Sequence, residues 1–288
     1  MKISLFTLIF REKTLDEVLK KAHEIGFDGV EFWGGDHFPA DTTSERARQL
    51  KRMLEEYQLE LPSVGSYVGN FSTMSDDDCE KQYDALEKYL NLMQILGCDL
   101  IRVGCGGPNA FLAQSYHYEK ALYWIQKCAD LACKYKSKIA MEIHNGSLIE
   151  TVEDASRLLK MIDRSNVGVI HDAGNMYITD TDYGARSVAM LKDKIFHVHV
   201  KDELRIQDDK LPGAFHDKTV YGNEIFQQKM LGEGAVDHLP LFRALVRLGY
   251  KGHLSLECHA AVTDTVKARH DFDEIKKQVR LAESEFGN

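Results

Sequence analysis

Proline is scarce in this chain, 5 in 288 residues, and no stretch approaches the ~20 consecutive apolar residues of a membrane-spanning helix. No membrane partner is therefore expected. The composition, 44% apolar and 28% charged, excludes a mostly disordered polymer and suits a chain that buries a sizeable core. A basic surplus is also missing. Lys plus Arg number 36 against 45 Asp plus Glu, a formal net charge of −9, which repels phosphate backbones at long range and argues against nucleic acid as a partner. No Gly-x-Gly-x-x-Gly turn follows an early strand. The nearest match, Gly104-Cys105-Gly106-Gly107-Pro108, has the wrong spacing and a proline, so a dinucleotide-binding sheet is disfavoured. The six cysteines (79, 98, 105, 128, 133 and 258) form no Cys-x-x-Cys pair, and several fall in apolar-periodic segments. They predict reduced thiols and a cytoplasmic protein rather than a disulfide or zinc framework. The opening run Met1 to Phe10 resembles a short signal-peptide core. No small-residue cleavage site follows and Arg11-Glu12-Lys13 end it at once, so it reads as a buried first strand.

What is present is alternation. Short β-rich runs near 2–7, 28–33, 60–67, 98–104, 138–144, 167–172, 195–201 and 252–258 are separated by helical patterns. These lie near 14–25, 42–58, 76–96, 115–136, 149–163, 181–193, 236–248 and 265–285. Leu15, Val18, Leu19, Ala22 and Ile25 show the helical period, Thr14 and Glu17 have capping-box spacing, and Gly26, Gly97 and Gly249 close helices directly before strands. Eight strands alternating with eight helices predict a parallel sheet closed as a (β/α)8 TIM barrel, one domain over 1–288. The one long irregular stretch, about 201–235 after strand seven, is expected to fold over the barrel mouth.

In such a barrel, chemistry sits where strands end. Strand five ends at Glu142-Ile-His144-Asn145, strand six at His171-Asp172-Ala-Gly-Asn175, strand seven at His197-Val-His199-Val-Lys201-Asp202 and strand eight at Glu257-Cys-His259. Glu142 to Asp172 is 30 residues and Asp172 to His199 is 27, each about one βα unit; His199 to Glu257 is 58, one unit plus the long loop. A lone glutamate there is more often a cap, and a lone histidine a core side chain. Four at matched depth on consecutive strands form a set. Three carboxylates that close repel unless a cation neutralises them, and oxygen ligands with one imidazole suit Mn, Mg, Co or Zn. Strand periodicity puts His144 on the face of Glu142 and His259 on that of Glu257, within reach of substrate hydroxyls. Lys201 shares the face of His199, and Glu31 and Arg102 end strands two and four as candidate pocket residues. His197 reads as packed one layer deeper, and His171 as pointing away. Trp33, Tyr67 and Phe71 are candidates for an apolar wall.

Met141-Glu142-Ile-His144, His171-Asp172-Ala-Gly-Asn175, His197-Val-His199-Val-Lys201-Asp202, Leu231-Gly-Glu233-Gly-Ala-Val-Asp237 and Leu256-Glu257-Cys together resemble the xylose isomerase-like TIM barrels of the sugar phosphate isomerase/epimerase type. Gly26-Phe-Asp-Gly29-Val-Glu31 is a weaker echo. The resemblance implies one divalent metal held by Glu142, Asp172, His199 and Glu257, with manganese among the candidates. It also implies that Glu142 and Glu257 move protons beside a carbonyl through an enediolate. It makes Arg205 a substrate-binding candidate and puts Asn175 where some members carry histidine. The implied function is a metal-dependent isomerase or epimerase of a sugar or keto-sugar. The alternative is a dehydratase or lyase of a keto-sugar, keto-inositol or dehydroshikimate-like acid, with an abasic-site endonuclease as a remote one. A non-catalytic sugar-binding barrel would be expected to lose the glutamates. Oligomeric state is left open, a homo-oligomer included.

Overall fold

The computed structural model describes residues 1–285. Eight parallel strands close a barrel: β1 (Lys2–Phe6), β2 (Gly29–Trp33), β3 (Val64–Gly65), β4 (Leu100–Arg102), β5 (Lys138–Glu142), β6 (Val167–Asp172), β7 (Ile195–Val200) and β11 (His253–Leu256), the last returning to β1. The long helices α1 (Leu15–Ile25), α2 (Ser44–Glu56), α3 (Asp76–Leu96), α4 (Ser115–Lys134), α5 (Val152–Ile162), α8 (Leu239–Leu248) and α9 (Asp264–Ser284) surround it, joined by the short α6 (Ala173–Ile178) and α7 (Ala185–Leu191). This is the (β/α)8 barrel expected from the alternation. Strands covered on both faces are largely apolar, and all six residues of β6 are buried, polar only at its end in His171 and Asp172.

Local chemistry sets the ends. Thr14 caps α1 in a full capping box, its N–H donating to Glu17 at 2.9 Å. Asp76, Asp77 and Asp78 crowd the first turn of α3, where the helix dipole favours negative charge. Gly26, Gly97 and Gly249 take positive φ (103°, 78° and 76°) and stop α1, α3 and α8.

Boundaries depart from the sequence where pairing, not hydrophobicity, decides them. The strand read over 60–67 is only Val64–Gly65, the two residues that pair with β2, and β4 shortens to Leu100–Arg102, the three that pair with β5. The helix read over 181–193 is α7 followed by a 3-10 turn at Lys192–Lys194. Before it lies α6, too short for a periodic signal and started by Asp172, whose carboxylate accepts the Asn175 N–H at 2.9 Å.

The largest correction is 201–235. It is not irregular: β8 (Asp202–Ile206), β9 (Ala214–Thr219) and β10 (Gly222–Lys229) form an antiparallel sheet in the order β8-β10-β9. Its strands are mostly polar, with Phe226 fully buried, so apolar patterning gave little sign of them. Beyond β10, the Asp202 carboxylate gathers the N–H groups of Gly232 (2.9 Å), Gly234 (3.0 Å) and Val236 (3.0 Å). A Cβ on Gly234 would fall 2.1 Å from Asp202 Oδ1, so the turn requires glycine there.

Candidate active site

Glu142 ends β5, Asp172 ends β6, His199 lies on β7 opposite Asp172, and Glu257 follows β11. One ligand atom from each lies within 4.8 Å of the others. His199 Nδ1 stands 3.0 Å from Glu257 Oε2, 3.5 Å from Glu142 Oε1 and 3.8 Å from Asp172 Oδ2. All four side chains are buried. His199 Nδ1 makes no directed hydrogen bond although it does not reach water, and Asp172 Oδ2 has the Lys201 ammonium alone beside it, at 3.0 Å. Buried polar atoms are normally satisfied, so an imidazole nitrogen without a directed partner, facing three carboxylates, fits a cation that is held there. Three carboxylates and one imidazole are the donor set of a divalent cation.

Cations flank the cluster. Arg102 Nε pairs with Glu142 Oε2 at 2.7 Å, its guanidinium 5.2 Å from the Tyr67 ring centre. The Asn175 amide donates to Glu142 Oε1 at 3.0 Å. Lys201 Nζ lies 3.0 Å from Asp172 Oδ2 and 3.3 Å from Glu257 Oε2, and His259 Nε2 is 3.1 Å from Glu257 Oε1. Burial pushes the Glu142 carboxyl up, but the Arg102 charge and His199 outweigh it and hold it well below the usual range. Glu257 is held low in the same way, chiefly by Lys201 and His199 against its burial. For Asp172, burial wins over Lys201, and the two neighbouring carboxylates add to the rise. Lys201 itself is raised, its burial outweighed by Asp172 and Glu257.

A cavity of about 280 Å³ opens beside Glu142, lined by Tyr67, Asn70, Arg102, Glu142, His144 and Asn145 among others. Of the candidate substrate residues, Arg102 and His144 reach this cavity, while Asn175, Lys201 and His259 touch the carboxylate cluster. Two candidates do neither. Glu31 has no exposed surface and lies below the cluster, its Oε2 3.0 Å from His199 Nε2, so the reading of it as a pocket residue is corrected. Arg205 does not line the cavity, because its guanidinium is engaged by Asp180 (2.7 Å) and Glu224 (3.0 Å). Of the aromatic wall, Tyr67 lines the cavity, Trp33 packs half-buried beside His37, and Phe71 is core, stacked on Trp124. His171 turns outward to Ser187 Oγ at 2.9 Å, and His197 lies deeper, against Glu31.

Sequence reasoning missed Ser255 and Glu203. Ser255 lies two residues before Glu257 on the same strand face, so period two could have found it. Glu203 follows Lys201 by two and is almost fully buried, with Oε2 unpartnered. Its burial, only partly offset by Lys201, pushes its carboxyl up to about 8.

The family model described as xylose isomerase-like TIM barrel matches residues 19–280. The chain belongs to this family. Within it, the chain is similar to the inosose dehydratase of Lactiplantibacillus plantarum, 26% identical over 264 residues that cover 86% of this chain and 82% of that protein. It is also similar to the rhizopine catabolism protein MocC of Rhizobium meliloti, 26% identical over 257 residues, 84% of this chain and 74% of the other. Among solved structures, the IOLI protein with a bound zinc atom superposes with a TM-score of 0.79 at 17% identity, covering 97% and 98% of the two chains. The probable 3-DHS dehydratase AsbF of Bacillus anthracis superposes at 0.78 and 22% identity, covering 95% and 99%. An L-ribulose 3-epimerase reaches 0.79 at 18%, covering 99% and 97%. These last three likenesses are of fold. No helix among the described residues is long and apolar enough to cross a membrane.

Proposed function

We propose that the protein is a metal-dependent lyase that removes water from a cyclic or open-chain keto-polyol, with a keto-inositol the leading candidate substrate and a dehydroshikimate-like acid the next. The observation that carries the reading is the convergence of Glu142, Asp172, His199 and Glu257 on one point, with His199 Nδ1 lacking a directed hydrogen bond. These four are the residues that would hold the cation, manganese foremost, with Mg, Co and Zn sharing the preference for this donor set. When bound, the cation supplies polarisation of a substrate carbonyl and so acidifies the neighbouring C–H.

The chain's own groups supply the rest. Glu142 and Glu257 are both held in the ionised form and both lie beside His199 Nδ1, so either can take the proton from carbon. Their surroundings differ. Arg102 and Asn175, around Glu142, orient it and keep their protons. Lys201 and His259, around Glu257, present N–H groups that can hydrogen-bond a departing hydroxyl oxygen. The carboxyl that has taken the carbon proton can pass it to that oxygen, so that water leaves. Asn145 and His144 line the cavity, where they can meet substrate hydroxyls, and Arg102 can meet an oxygen of the ring.

The β8–β10 sheet would serve as the cover of this mouth. Asn145 donates to the Asp217 carboxylate and Asn109 Nδ2 to the Lys218 carbonyl at 2.9 Å, tying the hairpin to the cavity rim. All six thiols are free, which supports a reducing, cytoplasmic setting.

A second reading, isomerase or epimerase, is favoured by the same two glutamates, since proton return to the opposite face of a carbon needs a second carboxyl. The test is a screen of inosose, dehydroshikimate and ketoses with Mn, Mg, Co or Zn, read by ultraviolet absorbance and product chromatography. A conjugated dehydrated product is expected. An epimer or aldose-ketose product without new absorbance selects the second reading. Absence of both turnover and solvent-deuterium exchange in metal-loaded protein rejects each.

A further inference from the structure

Below the cluster lies a second polar layer. Glu31 on β2 is sealed from solvent, with one carboxylate oxygen, Oε2, as its focus. Ser255 Oγ donates to it at 2.7 Å, and His197 Nε2 and His199 Nε2 each lie 3.0 Å away. The donors come from β7 and β11, and register aligns them: Ser255 is opposite His199, and Glu31 is opposite Phe6 of β1. Phe6 stacks on the His199 ring, with centroids 5.5 Å apart and planes 28° apart. The ring-side space is tight, since a Cβ on Gly65 would lie 2.7 Å from the Phe6 ring and 3.2 Å from Glu31 Oε1.

This arrangement constrains His199 twice. Phe6 fixes the ring plane. A carboxylate beside Nε2 accepts a hydrogen bond from the N–H there, so in the neutral imidazole the lone pair lies on Nδ1, the atom that faces Glu142, Asp172 and Glu257. The Glu31 charge also makes the ring a stronger donor at Nδ1. Three donors converge on Oε2, the arrangement that an acceptor-only carboxylate satisfies.

We propose that Glu31, fixed by Ser255 and His197, is a positioning residue that sets the tautomer and donor strength of His199 and thereby the affinity of the cluster for a divalent cation. This rests on the reading of Glu142, Asp172, His199 and Glu257 as a cation site. Glu31 has no path to the substrate, so it acts through His199 alone.

The test is Glu31→Gln, which keeps the shape and removes the charge. Mn²⁺ and Zn²⁺ affinities are measured by equilibrium dialysis with metal analysis, beside the melting temperature of the metal-free protein and KM at saturating metal. The expected result is a loss of metal affinity of about 10–100-fold, with KM at saturating metal unchanged. Ser255→Ala, which removes one donor and keeps every charge, should lose a smaller but measurable amount, about three- to tenfold, and serves where E31Q does not fold. Wild-type metal affinity in the folded variants overturns the proposal. So does a raised KM with metal affinity intact, which would return Glu31 to the substrate. A wild-type protein that binds no divalent cation overturns the cation site itself, an outcome distinct from a wild type that binds and a variant that binds equally.

Discussion

Replacing Lys201 with Met should convert a metal-tolerant fold into a metal-dependent one. Lys201 is 7% exposed, and its ammonium lies 3.0 Å from Asp172 and 3.3 Å from Glu257. At an effective dielectric of about 20, each contact is a gross attraction of roughly 5 kcal/mol, most of it offset by desolvation. Removing one partner of a buried pair while leaving the other in place costs about 3–5 kcal/mol. Here two carboxylates are left, already pressed by Glu142. At ~2–4 °C per kcal/mol for a domain of this size class, the metal-free variant should melt about 6–20 °C below wild type. A divalent cation restores the missing charge at the same place. Saturation at ~1,000 times Kd stabilises by about 4 kcal/mol, so manganese should recover most of the loss. Scanning fluorimetry with chelator and with manganese reads both quantities. The metal-induced rise must be larger in Lys201→Met than in wild type. Equal melting temperatures in chelator, or equal rises, would show that Lys201 does not balance these carboxylates.

Three further outcomes follow from the same geometry. Glu142→Gln and Glu257→Gln keep their shapes but lose the base, so each should lower turnover by about 10²–10⁴-fold and stop exchange of the substrate α-hydrogen with deuterium. Metal occupancy is measured alongside, and wild-type exchange in both metallated variants would refute the two-carboxylate mechanism. His171, fully buried, is lowered to about 4 by its burial and the nearby His238, so it contributes stability above its unfolded value near 6.5 that is lost as pH falls towards 4. That difference is worth up to ~3 kcal/mol, and His171→Gln should flatten the urea midpoint between pH 7 and pH 4.5; an unchanged slope would refute it. Excising 207–224 with a short turn in their place should lower activity far more than thermal stability, and equal activity would reject a covering role for the hairpin.

The barrel was legible because each of its signals is local. The Thr14–Glu17 box, the helix-closing glycines and the buried run of β6 all act within a few residues of themselves. The convergence of Glu142, Asp172, His199 and Glu257 was legible for a related reason. Once strands are parallel and in order, equal depth on each strand places side chains on one level. What escaped depends on partners distant in sequence. The direction in which Glu31 faces is set by residues 166 to 224 positions away, and nothing near residue 31 announces them. Arg205, a substrate-binding candidate by resemblance, is instead held by Asp180 and Glu224. The β8–β10 sheet has polar strands and a hairpin turn at Val220-Tyr221 that lacks the usual Asn-Gly signal.

That sheet hydrogen-bonds within itself and not into the barrel ladder, and it is clasped at its base by the single carboxylate of Asp202. Its residues can therefore change without disturbing the register of the eight barrel strands. In evolutionary terms it is an exchangeable cassette: the clasp and the glycines it needs are fixed costs, while the hairpin beyond them is free to drift. A barrel built this way can keep the residues at its strand ends and still change what borders them by rewriting about thirty residues, and a laboratory graft would be cut at the same two joints, after Asp202 and before Gly232.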